Sequence, residues 1–172
     1  MISWFRDVIY FMFFVLLQTL VIDHIRLFGI VTPFVYVYVI LKFRTSTSRS
    51  SVILLSFLLG LVIDIFSNTF GIHAAACTFI GFIRDPLLNQ FVDLKELPDK
   101  SVPSYQLFGF GKFFRYTLIL VAFHHVILFL IDYLGLHQLV MMMTRMLASI
   151  GITLLLIFIV ESFNQIKIKN GE

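Results

Sequence analysis

Between residues 4 and 163 the chain repeats one pattern: an apolar run, a short polar turn, then another apolar run. Crossing the roughly 30 Å hydrocarbon core of a bilayer takes about 20 predominantly apolar residues as a helix. Six runs can be placed, at residues 4–22, 27–43, 52–66, 70–83, 112–133 and 139–163. Only 13% of the residues are charged and 59% are hydrophobic, against about 25% charged in a soluble domain. The expected fold class is therefore all-α and polytopic: six transmembrane helices in one domain spanning residues 1–172. Phe occurs 21 times, which suits lipid-facing and interfacial surface.

Several runs carry marks of their own. The first lacks a small-residue cleavage site and leads directly into Asp23-His-Ile-Arg26, so it is expected to stay as a span and not to be removed as a signal. The second contains Pro33, expected as a kink that neighbouring groups re-satisfy, with Tyr36 and Tyr38 beyond it. The third and fourth are short for full spans. A re-entrant hairpin made of both is the competing reading, and it leaves the parity of crossings unchanged. The longest connection, residues 84–111, places Leu87, Leu88, Phe91, Val92 and Leu94 at near-helical spacing, which predicts an amphipathic helix on the membrane surface from Pro86 to Leu97.

Lys and Arg set the orientation, because they accumulate in cytoplasmic loops. With six crossings and both termini inside, eleven of the 13 fall on the inner side, and only Arg26 and Arg145 fall outside. The net charge of +3 is distributed over loops and reports topology, so no nucleic-acid partner is expected. Asp64, His73, Asp132 and Arg145 then lie toward the outer face, and Arg115 and Glu161 toward the inner one.

An Asp near the end of an apolar run is costly: about 2.5–3.5 kcal/mol at a bilayer centre, less toward the interface. Asp64 is expected either to bond Ser67 or the start of the next helix, or to serve a ligand, with Arg145 as an ionic partner. His124 and His125 project about 100° apart on a helix, which suits hydrogen bonds across helices or a proton relay better than a shared metal. Arg115 and Glu161 are expected to pair. The single Cys77 reads as a small packing residue and permits no internal disulfide. No catalytic, cofactor-binding or metal-binding set is spelled out: Gly-x-Ser-x-Gly, a Gly-rich phosphate loop and His-Glu-x-x-His are all missing. Small residues at helical spacing (Ser56 and Gly60; Gly71, Ala74, Ala75, Thr78 and Gly81; Ala148 and Gly151) allow close helix approach, either within the chain or as a groove for a partner's membrane helix.

The stretch Gly60-Leu-Val-Ile-Asp64, Phe66-Ser67 and Gly71-Ile-His73-Ala74 resembles the signature of the bacterial rod shape-determining protein MreD family. Pro33, the tyrosines after it, the basic loop before residue 52 and the overall length fit the same family. The specific motif spans only about residues 60–76, and Gly60, Asp64, Gly71 and His73 are its matching positions. The resemblance implies a non-enzymatic component of the cell-elongation machinery in the bacterial inner membrane. It implies work with MreC, MreB, and RodA with its class B penicillin-binding partner, leaves a homodimer open, and calls for no cofactor. It also implies similarity to the fold of substrate-binding subunits of energy-coupling-factor vitamin transporters, which is the alternative function. Those subunits carry Ala-x-x-x-Ala on the first helix, and the first run here has no alanine. A lipid-modifying enzyme using His124, His125 or Asp64 is a third reading.

Overall fold

The structure is a computed structural model, and it describes residues 2–21, 31–93, 97–98, 101–132 and 139–169, with side chains over residues 9–20 and from residue 31 to residue 164 within those ranges. Regular structure among them is helical: α1 (Ile2–Leu16) running into a π-turn at Leu17–Val21, α2 (Val37–Leu41), α3 (Arg49–Ser67), α4 (Ile72–Phe91), α5 (Tyr105–Phe108), α6 (Phe110–Asp132) and α7 (Leu139–Lys169). The stretches Arg49–Ser67, Phe110–Asp132 and Leu139–Asn164 are long and apolar enough to cross a membrane, and Ile9–Leu20 is a shorter apolar helix.

The second run departs from the expected kinked helix. Residues 31–36 are not helical, and only Val37–Leu41 forms a short helix. Pro33 explains where the helix fails: it has no N–H, and it pushes Thr32 before it toward extended backbone. Side chains from both flanks make this path affordable. Toward α1, Gln18 Nε2 donates to Pro33 O at 3.0 Å while Gln18 Oε1 accepts from Val35 N at 3.0 Å. Toward α7, Thr32 N donates to Ser149 Oγ at 3.2 Å and Phe34 N to Thr153 Oγ1 at 3.0 Å. The alternation of an extended chain sends odd and even residues to opposite neighbours. Non-helical backbone is tolerated at membrane depth only where protein supplies such partners. Residues 34–41 are all buried, so this segment is threaded through the centre of the bundle.

The fourth helix also differs from expectation. It runs through Pro86 to Phe91, so residues 86–91 are its last turns and not the start of a separate surface helix; residues 94–96 lie outside the described residues. A proline leaves the carbonyl four residues earlier without its helical donor. That carbonyl is Phe82 O, and Arg49 Nη2 reaches it at 3.5 Å while the guanidinium lies 4.5 Å from the Phe82 ring centre.

α3 and α4 form the tightest pair. A Cβ on Gly60 would lie 2.4 Å from His73 O and 2.5 Å from Ala74 Cα, and one on Gly81 would meet Ser56 Oγ at 2.6 Å. Ser56, Gly60, Ala74 and Gly81 thus pack within this chain's own hairpin, the first of the two uses expected of the small residues. Ala75, Ala148 and Gly151 face outward or partly outward, and Thr78 is half-buried with its hydroxyl donating to Ala74 O at 2.6 Å.

Candidate functional site

Three polar layers cross this apolar bundle. The first is the α3–α4 turn. Asn68 ends α3 in the left-handed region (φ 54°), and Gly71 precedes α4 at φ 80°, a conformation that suits glycine. With glycine as N-cap, α4 has no side chain of its own to receive its first amides. Asp64 supplies the acceptors from the neighbouring helix. Its carboxylate accepts from His73 N at 3.1 Å, Ala74 N at 2.8 Å and Thr69 Oγ1 at 2.5 Å. Its main-chain carbonyl accepts from Thr69 N at 3.0 Å. An anion at the positive end of a helix gains further from the helix dipole. Gly60, Asp64, Gly71 and His73 therefore meet in one joint: Gly60 lets the backbones touch, Gly71 turns the chain, and Asp64 holds the amide of His73. Among the expected partners, Asp64 engages the start of the next helix.

The second layer lies one turn deeper. The Tyr36 hydroxyl sits 2.7 Å from His73 Nδ1 and 2.8 Å from His124 Nε2. Nothing bonds His124 Nδ1, which is buried. A stranded N–H is a worse loss than a stranded lone pair on a neutral ring, so the proton of His124 belongs on Nε2. His124 then donates to Tyr36, and Tyr36 donates to His73. His125 has the other tautomer: its Nδ1–H donates to Val121 O at 2.8 Å, and its Nε2 accepts from Thr153 Oγ1 at 3.3 Å. Thr153 in turn receives Phe34 N, so the chain of bonds closes on the extended segment. The Phe34 ring wedges between the three imidazoles at 5.2–5.7 Å. The two adjacent histidines thus bond in different directions, His124 to Tyr36 and His125 to α7. Among the described residues no set of three or more His, Cys, Asp or Glu side chains could hold a metal ion.

The third layer closes the opposite end. Glu161 is fully buried and accepts from Tyr38 Oη at 2.5 Å and from Lys42 Nζ at 2.9 Å. Lys42 also donates to Pro103 O at 2.6 Å, and Asn164 Nδ2 joins Tyr10 and Tyr38. The expected Arg115–Glu161 pair is replaced by Lys42–Glu161, because the threaded second segment lies against α7 while Arg115 is exposed on α6. Arg84, also fully buried, bonds Asp85 at 2.5 Å and the carbonyl of Phe43. Tyr116 donates to Leu41 O at 3.2 Å.

Gln18, Tyr36, Tyr38, Lys42, Ser149 and Thr153 are the residues that sequence reasoning did not assign to these layers. Their signal was present as polar groups inside apolar runs, which demand partners. No protein-family model, curated protein or solved structure matches this chain.

Proposed function

We propose that this chain is a non-enzymatic membrane scaffold of the bacterial cell-elongation complex, in the manner of MreD. It sits in the inner membrane as six membrane-embedded segments, with both termini and the basic loops in the cytoplasm. It offers MreC's single helix an outer face of the bundle, and it links MreB filaments to RodA and its class B penicillin-binding partner. One observation carries the reading: the four motif-matching residues, Gly60, Asp64, Gly71 and His73, converge on one joint that sets how α3 and α4 pack. A motif used this way specifies shape, which is what a scaffold contributes. The filled α3–α4 seam narrows the partner face to outward small positions such as Ala148 and Gly151 on α7 and Ala75 on α4.

A second reading, a substrate-binding subunit of an energy-coupling-factor-type transporter, draws on the threaded extended segment and its polar lining at residues 31–36. Broken segments of this kind line the sites of many transporters. Mild purification of the tagged protein from its native membrane separates the two. Recovery of MreC, with or without RodA and its partner, supports the scaffold. Recovery of a membrane coupling subunit with paired ATPases replaces it with the transporter.

A further inference from the structure

Lys112 and Arg115 stand three residues apart near the start of α6, so they share one face of the helix, and both are exposed. Arg115 is expected from the sequence to pair with Glu161, but Glu161 is taken by Lys42. The same turn of α6 presents Phe113 to the interior, where Lys42 Nζ lies 5.8 Å from its ring centre. Tyr116, one residue further, donates to Leu41 O. Lys112 and Arg115 are therefore level with the Lys42–Glu161 layer, on the outward side of the helix. The two inward cations of this end are matched within the chain, Lys42 by Glu161 and Arg84 by Asp85. Among the described residues, Lys112 and Arg115 have no carboxylate partner.

Their surroundings are apolar. Phe110, about 8 Å nearer the cytoplasmic end than Arg115, is exposed and stacks on Phe114 with ring centres 6.1 Å apart. Deeper in the span, Phe123 is exposed as well. α6 is long and apolar enough to cross a membrane, so the two cations sit in an apolar belt at one end of a span. Long cationic side chains in that position carry their heads to the headgroup region. The anion found there is the lipid phosphate, which a guanidinium grips through paired N–H groups and an ammonium meets as a point charge. No acid in the first turn of α6 competes for them. Two positive charges exceed the single charge of one phosphate. A headgroup that brings its own ammonium is therefore a poorer match than one with a net negative charge.

We propose that Lys112 and Arg115 form a site for the headgroup of an anionic phospholipid, drawn from the leaflet on the side of the basic loops, with its acyl chains running along α6 toward Phe123. Charge complementarity selects this occupant: the bundle neutralises the cations it turns inward and leaves these two to the lipid. The site stands on α6 alone and is independent of which proteins bind the chain.

Phe123 lies about 12 Å beyond Arg115 along the helix axis, within reach of the middle of an acyl chain whose headgroup is held at Arg115. Trp4 is the single tryptophan, so Phe123→Trp in a Trp4→Phe background reports which chains lie there. The purified protein is reconstituted in equimolar phosphatidylglycerol–phosphatidylcholine vesicles in which one lipid or the other has chains brominated near their middle. The site predicts that brominated phosphatidylglycerol quenches as a lipid bound about fivefold more tightly than phosphatidylcholine, or more. Lys112→Gln with Arg115→Gln abolishes that preference. Arg49→Gln, which removes a charge from the start of α3 at the same end of the bundle, preserves it. Equal quenching by the two lipids overturns the proposal, and an acidic group of a partner then takes the lipid's place as counter-charge. A preference that survives the double substitution, or that Arg49→Gln removes equally, also overturns it. Protection of the buried Cys77 from a thiol-reactive dye verifies that each variant is folded. If Phe123→Trp does not yield folded protein, Ile119→Trp, one turn beyond Arg115, carries the same measurement.

Discussion

Replacing Asp64 with alanine tests the joint directly. The substitution strands the amides of His73 and Ala74 at a helix start where the helix itself offers no acceptor. A buried donor left without a partner costs about 1–3 kcal/mol, so the two amides cost about 2–6. Hydrogen bonds between membrane helices average only about 0.6 kcal/mol, because the unfolded chain in the bilayer also finds partners. That smaller figure suits the Thr69 hydroxyl, which can turn elsewhere, but not amides fixed at a helix N-terminus. The sum is about 3–6 kcal/mol, or roughly 10 °C in melting temperature for a chain of this size. Asp64→Asn keeps one acceptor oxygen and turns an NH2 toward the other amide, so its loss is about half as large. Thr69→Ala leaves both amides satisfied and costs about 1 kcal/mol or less. The assay is built into the chain: Cys77 is the single cysteine and is fully buried, so a thiol-reactive dye in mild detergent reports unfolding. An Asp64→Ala melting point within about 1 °C of the unaltered protein would refute the capping argument.

The remaining predictions address packing and the deeper layers. Gly60→Ala drives a Cβ into the backbone of His73 and Ala74 and lowers the melting temperature by several degrees, while Gly151→Ala, with open space around it, leaves it unchanged. Tyr36→Phe removes one hydroxyl that serves two imidazoles and costs about 1–3 kcal/mol, read by the same Cys77 assay. Lys42→Met alone strands the buried Glu161 carboxylate and costs about 3–5 kcal/mol, whereas Lys42→Met with Glu161→Gln recovers much of the loss in a double-mutant cycle. Gln18→Leu frees Val35 N and Pro33 O at once, and amide exchange across residues 33–39 rises relative to α6.

What the sequence disclosed depended on how local the physics was. The apolar runs that became α3, α6 and α7 were visible because hydrocarbon-facing helices need little beyond length and composition. Asp64 was visible because a carboxylate beside an apolar run must find donors, and the nearest unsatisfied ones are the first amides of the next helix, about ten residues on. The threaded segment was not visible. Its amides are satisfied from Gln18, Ser149 and Thr153, and Phe34 and Thr153 are 119 positions apart. Without those partners the chain around Pro33 reads as a kinked helix; with them, extended backbone is the cheaper state. Glu161 failed in the same way, since charge and depth matched both Arg115 and Lys42, and only the path of the second segment selects Lys42.

The small residues teach a related lesson. Gly60, Gly81 and Gly151 carry the same small-residue signal in the sequence, yet two are packed against this chain and one is open. Spacing identifies a face on which helices can touch, and only the rest of the fold decides which helix occupies it. Asp64 has a reason to be a carboxylate that composition does not reveal: a helix that starts on glycine has no side-chain cap of its own, and one buried anion with three donors provides the acceptors.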